Sequence, residues 1–328
     1  MACVAVIAIA TLAAVGGIAA AFGFFTSPIH KTGHERRLIV KLDAPYGSVD
    51  LKPGTDPNSV AAIQMEDADP SSQSPHWSYG LLGNDVGMLR IGIGTDEGQL
   101  MTPPLAIWKA DHNFLPASTL RISGIGVRRQ GSLYHVASET DQGSKKSNTS
   151  RTRIYLTRDL PIDFNANLGF GESSIDLTRL ALTNVEIETG ASRAMICSNE
   201  PNPQVLYNCS VKAGLGECTF CGISNLNAKH FSFSGAVGSY HLGFEGRLEQ
   251  NLEARVSVGL GTCTISIPPL AGRVQIFYDD GMFTSYTFSG LAIRREGYAT
   301  SPGFDRSNSP ILTLRLSTGA GKMAVSYH

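Results

Sequence analysis

Two cysteines three residues apart, Cys218 and Cys221 in "ECTFCG", are the first residues whose spacing could do chemistry. A Cys-x-x-Cys pair binds a metal or cycles as a dithiol only when both sulfurs reach one point. On a β-strand, residues three apart face opposite sides, so these two thiols cannot share a ligand. A tetrahedral site also needs two more ligands, and neither a second Cys-x-x-Cys nor a histidine pair supplies them. The 8 histidines form no H-x-H or H-E-x-x-H spacing. Asp111 beside His112 reads as a surface loop, because neighbours on a strand point apart. No G-x-S-x-G elbow and no Walker lysine occurs. "GIGTDEG" from Gly92 and "GIG" from Gly124 mimic a dinucleotide loop without the helix that would receive a pyrophosphate. The chain thus predicts no catalytic, cofactor-binding or metal residue, and no cofactor.

The elements that would have to position any such group are written in a repeat. With the first glycine of each Gly-x-Gly as anchor, the anchors fall at Gly169, Gly190, Gly214, Ala236 and Gly259, spaced by 21, 24, 22 and 23 residues. A fixed period of this size marks stacked repeats, each one a rung. Strand alternation then separates inside from outside. Ser173, Ala194, Cys218, Tyr240 and Cys263 lie four after their anchors, and Ile175, Ile196, Phe220, Leu242 and Ile265 lie six after. The second row is wholly apolar, so even positions are expected to line the core. Odd positions such as Ser174, Met195, Thr219, His241 and Thr264 are mixed and face out. "NVEIETG" (184–190), "HFSFSGAVG" (230–238) and "LEARVSVGLG" (252–261) read as a second strand in each rung. The pattern breaks at "IPP", after which "RVQIFYDDGMFTSYTFSG" reads as a hairpin turning at "DDG".

The rows also bring cysteines together. Cys197 and Cys221 both lie seven after their anchors, outward, on neighbouring rungs. Stacked strands are about 4.8 Å apart, within disulfide reach, so Cys197–Cys221 is a candidate disulfide for an oxidising compartment. Two free thiols in register is the alternative. Cys218 and Cys263 read as core filling, Cys209 as a loop residue, and Cys3 belongs to an apolar segment.

That segment, residues 2–25, carries no charge. As a helix it would rise roughly 36 Å against a bilayer core of about 30 Å. A retained membrane anchor and a cleaved signal peptide, with "AAA" at 19–21 as the cleavage site, are both open readings. "HKTGHERR" (30–37) follows; the positive-inside rule would hold it in the cytoplasm, whereas a signal peptide would send the body outside. Net charge is -1, so no global field attracts nucleic acid. "GSKKSNTSRTR" (143–153) reads as a basic loop, a solvated one unless it meets anionic lipid or wall polymer. The odd row seven after each anchor, Asp176, Cys197, Cys221, Gly243 and Ser266, has no acid cluster, which argues against a polysaccharide-cleaving solenoid.

"RIYLTRDLPIDFNANLGFGESSIDLTRLALTNVEIETGAS", "SGAVGSYHLGFEG" and "VSVGLGTCTISIPPLAGRVQI" together resemble the toast-rack, or putative-adhesin, domain of bacterial envelope proteins. That domain is related to the C-terminal domain of LiaF-type regulators, which respond to cell-wall-active antibiotics. "RLIVKLDAPYGSVDLKPG" and the terminal "ILTLRLSTGAGKMAVSYH" read as further rungs. Gly243 stands where relatives often carry an Asp. The resemblance implies a non-catalytic envelope domain and carries over no site residue.

The expected molecule is all-β: an elongated solenoid-like stack of rungs of about 22 residues, behind a transmembrane helix or signal segment at 1–27 and a basic linker at 28–37. The β domain is expected over 38–328, clearest at 154–290, with irregular insertions at 55–150 and 296–310. Expected partners are the membrane, through residues 2–25, and an envelope protein or surface polymer. The location is the bacterial envelope, with the domain outside the cytoplasm. Adhesion or scaffolding is the leading role; a membrane-bound stress regulator and a carbohydrate-active enzyme are the alternatives.

Overall fold

The structure is a computed structural model describing residues 25–66, 75–82, 85–93, 126–130, 133–137, 151–279, 283–306 and 308–328. Along the chain come β1 (Phe25–His30), β2 (Arg37–Tyr46), β3 (Ser48–Pro53), β4 (Ser59–Glu66), β5 (His76–Leu82) and β6 (Val86–Gly92). Next are β7 (Gly126–Gln130), β8 (Leu133–Ala137) and β9 (Arg151–Leu156). Five long strands follow: β10 (Ile162–Asp176), β11 (Leu182–Cys197), β12 (Leu206–Cys221), β13 (Ala228–Gly243) and β14 (Leu252–Ile267). The last are β15 (Arg273–Tyr278), β16 (Thr284–Ser289), β17 (Ala292–Arg295), β18 (Tyr298–Thr300) and β19 (Ile311–Tyr327). The chain divides into two units, 101–148 and the remainder. In the smaller, β7 and β8 pair as an antiparallel hairpin. The larger carries one 17-stranded sheet.

Strands β10 to β14 run parallel, each in register with the next, and β19 continues the series beside β14. Each is one continuous strand bent at its glycine corner, not the two strands expected. The residues before the corner form a first arm and those after it a second. At β2 and β3 the chain is interrupted at the corner, with β2 on the first arm of β10 and β3 on the second. β6 and β9 add one more rung beyond them, separated by the long connection 93–150.

Alternation sets what lies between the arms. Ala194, Cys218, Tyr240 and Cys263, and all of Ile175, Ile196, Phe220, Leu242 and Ile265, are buried, as parity predicts. The arms close on an aromatic core: Phe233 packs edge-on to Tyr240 at 5.2 Å, and Phe231 edge-on to Phe220 and Phe244 at 5.7 and 6.1 Å. Such offset geometries suit the ring quadrupoles. Where the chain turns from rung to rung, buried side-chain amides replace the ladder. Asn202 accepts from the Leu182 N–H (3.0 Å) and donates to the carbonyls of Leu182 (2.8 Å) and Leu226 (3.2 Å). Asn225 donates to the Ser198 carbonyl (2.9 Å). Without them buried backbone groups would lose their partners.

The repeated glycines have a steric cause. A Cβ on Gly259 would lie 2.6 Å from the Ala236 carbonyl oxygen of the adjoining rung, and one on Gly261 only 2.0 Å from that of Gly238. Gly261 also has φ +130°, which side chains rarely adopt. Rungs pack backbone to backbone at the corner, so glycine recurs at the rung period.

Several expectations need correction. β15 and β16 are not a hairpin: both run parallel to β19, as the two arms of one rung. β19, last in the chain, fills the slot between β14 and that rung. Cys209 lies within β12, fully buried, not in a loop. Residues 59–66, 76–82 and 86–92 of the expected irregular insertion are regular strands of the main sheet. Arg151–Arg153, the end of the expected basic loop, begin β9, and the expected linker 28–37 opens inside β1. The apolar segment before Phe25, Asp111–His112 and most of the basic loop fall outside the described residues. Among the described residues no helix is long and apolar enough to cross a membrane.

Candidate functional site

The outward side chains form ladders along the stack. On the first arm one row reads Asp163, Asn184, Asn208, His230, Glu253 and Thr313, and the next Asn165, Glu186, Ser210, Ser232, Arg255 and Arg315. A third reads Asn167, Glu188, Lys212, Ser234, Ser257 and Ser317. Amides and hydroxyls predominate, and the charges compensate one another. Asn184 donates to Asp163 (3.1 Å) and Asn165 to Glu186 (3.1 Å). Lys212 bridges Glu188 and Glu186. Glu253 gathers Arg255 at 3.0 Å and Arg315 at 3.3 Å, which holds its carboxyl below the usual range. On the second arm Arg193 meets Glu217 at 2.9 Å and Glu172 at 4.0 Å. Each of these acids already has a cation or amide partner, so none of them is left as a free general acid or base.

Cys218 and Cys221 face opposite sides of β12: Cys218 is buried and Cys221 faces out. Burial pushes the thiols of Cys218 and Cys263 up to about 12, and that of Cys209 higher still, so all three stay protonated and inert. Among the described residues no three His, Cys, Asp or Glu could gather on a metal. Cys197 and Cys221 lie opposite each other on neighbouring rungs, Cα atoms 4.6 Å apart, within the reach of a disulfide. At Gly243, a Cβ would strike the Glu245 carboxylate at 2.2 Å. Glu245 accepts from the Gly222 N–H at 2.8 Å, so a carboxylate two residues on occupies the space of the missing side chain.

Two features escaped the sequence reading. Tyr207, 61% exposed, lies at the margin of the first-arm face with Lys229 Nζ 4.8 Å over its ring. Its parity neighbour Asn208 is also exposed, and two successive outward residues mark an irregular strand start that alternation does not report. A surface hollow of about 300 Å³ is lined by Arg247, Pro269, Leu270, Arg273, Pro302 and Tyr327 among others. Among the described residues no carboxylate or histidine lines it, and Arg273 is already engaged with the Ser309 carbonyl at 2.9 Å.

A family model described as the N-terminal domain of toast_rack, DUF2154, matches residues 127–221, which run from β7 through the end of β12. Over these residues the toast-rack resemblance is thereby shown. The matched stretch includes the first rungs whose glycine corners gave the repeat. No curated protein matches the chain. Among solved structures, a putative cell adhesion protein from Clostridium sporogenes is similar at 12% identity and TM-score 0.43, covering 93% of this chain and 99% of that one. A putative adhesin from Bacteroides fragilis is similar at 11% identity and TM-score 0.34, covering 92% and 96%.

Proposed function

We propose that this toast-rack-like protein is a non-catalytic component of the bacterial cell envelope whose stacked β domain binds a hydroxyl-rich surface polymer, in an adhesive or scaffolding role. The observation that carries the reading is the outer face of the first arm. It offers Asn, Ser and Thr in straight ladders at the strand spacing, its charges neutralised in place, and an exposed aromatic ring at its margin. Hydroxyl and amide groups exchange hydrogen bonds with a neutral glycan, and a tyrosine face can carry a sugar ring. Among the described residues the carboxylates of these rows, Asp163, Glu186, Glu188 and Glu253, each have a cation or amide partner, whereas glycoside cleavage uses a free pair. The domain is proposed to face an oxidising space, where a Cys197–Cys221 disulfide persists.

Co-sedimentation of the full chain, in detergent, with isolated bacterial cell walls tests this. Asn208→Arg with Ser232→Arg, or Tyr207→Ser alone, is expected to weaken retention roughly tenfold while the melting temperature holds. Equal retention of the variants would remove the face from the account. Release of reducing sugar ends by the wild-type chain would instead establish an enzyme.

A further inference from the structure

One residue stands at the tip of every corner, and along the stack these residues form an unbroken apolar ridge. Tyr46 lies beside Phe170; Leu215 lies between Ala191 and Val237; Leu260 lies between Val237 and Ala320. The pairs flanking Phe170 and Ala191 set those two opposite each other. On the last rung Thr284 pairs with Gly321, so Phe283 continues the row past Ala320. Tyr46 is 63% exposed, Phe170 41%, Leu215 40%, Val237 41%, Leu260 52% and Phe283 75%. Tyr46 and Phe170 stack on each other, ring centroids 5.7 Å apart. The exposed area is of the order of a few hundred Å², the range in which a contiguous apolar patch marks an interaction surface. The fold does not need it: the corner is closed by backbone packing at the glycines, and the tip side chains contribute nothing to the core between the arms.

The partner can be read from what borders the ridge. On the second-arm side the adjacent row runs Glu172, Arg193, Glu217, Ser239, Thr262 and Lys322. Glu172 meets its nearest cation only at 4.0 Å, and Lys322, at the far end, has no ion pair among the described residues. This flank carries opposite charge at its two ends, so an anionic membrane would be held at one end and repelled at the other. A second copy laid antiparallel has the complementary order. With the two-fold axis between Leu215 and Val237, Tyr46 meets Phe283, Phe170 meets Ala320, and Ala191 meets Leu260. Large residues face alanines at Phe170–Ala320 and Ala191–Leu260, aromatic rings meet at the ends, and Glu172 of each copy faces Lys322 of the other. We infer that this ridge is a self-complementary, antiparallel interface between two copies of the chain. It is isologous, so it closes at two and does not propagate. The ridge lies at the junction of the arms and shares no residue with the polar face assigned to polymer, so either assignment can fail without the other.

Sedimentation equilibrium of the full chain in density-matched detergent decides it. The wild type is expected to be a reversible dimer. Glu172→Lys or Lys322→Glu alone should raise the dimer Kd roughly tenfold, and the two together should restore it, a rescue that damaged folding cannot imitate. Phe170→Ser with Leu260→Ser should leave a monomer with an unchanged melting profile. A monomeric wild type overturns the proposal. So does a dimer that survives the ridge variants, or a double charge variant no tighter than the singles.

Discussion

At the residue scale the molecule is governed by where a β-carbon cannot go. At Gly261, alanine would combine an unfavourable φ of +130° with a contact of 2.0 Å to the Gly238 carbonyl oxygen. Both are backbone constraints that no rotamer can relieve. Gly261→Ala is expected to cost about 3 kcal/mol, read as a lower denaturant midpoint at unchanged slope. Ala236 occupies a first-glycine position and shows that not every corner is equally closed. Glycine at Ala236 acts mainly by loosening the unfolded chain and is expected to cost only about 0.4–1 kcal/mol; an equal loss at the two positions would remove the steric account. The glycines were legible in the sequence because sterics recur at the rung period. Tyr207 was not, because alternation fails at a strand's first residues and no local signal replaces it.

At the element scale, inward and outward faces and the succession of the repeated rungs could be read from sequence, whereas the places of β15, β16 and β19 could not. Parity depends only on neighbours along one strand, and Ile175, Ile196, Phe220, Leu242 and Ile265 obey it throughout. Which strand lies beside which depends on contacts between distant segments. "DDG" between two strand-like runs carries a hairpin's local chemistry, yet β15 and β16 are held apart as two arms by β19, whose first half pairs with β15 and second half with β16. β19 also pairs with β14 over its full length. It is the shared partner of three strands, and Leu312, Leu314 and Leu316 put its inner face into the core. Ending the chain after Pro310 is expected to expose the edge of β14 and yield aggregated protein. Leu314→Ala is expected to cost about 2–5 kcal/mol in a protein that stays soluble. If the truncated chain stayed soluble with the wild-type melting temperature, β19 would be an accessory strand and the slot would close without it.

At the scale of the whole molecule, compartment and chemistry must agree. Cys209, Cys218 and Cys263 are buried with raised pKa values, so they resist alkylation in the folded state on either side of a membrane. Cys197 and Cys221 are half-exposed partners on neighbouring rungs, and they alone among these cysteines report the redox environment. The proposed envelope location therefore makes a joint demand. In intact cells, protease added outside should reach a tag placed after His328, and alkylation of the same protein without reductant should leave Cys197 and Cys221 unlabelled. Reduction should then expose two further thiols without unfolding the stack, because the parallel backbone ladder of β11 and β12 runs from Asn184 and Asn208 up to this last pair without the bond. A protected tag with both thiols labelled would place the domain in the cytoplasm and favour the stress-regulator alternative. A reachable tag with labelled thiols would keep the location and remove the disulfide, since the register of the rungs brings the sulfurs together whether or not they are oxidised.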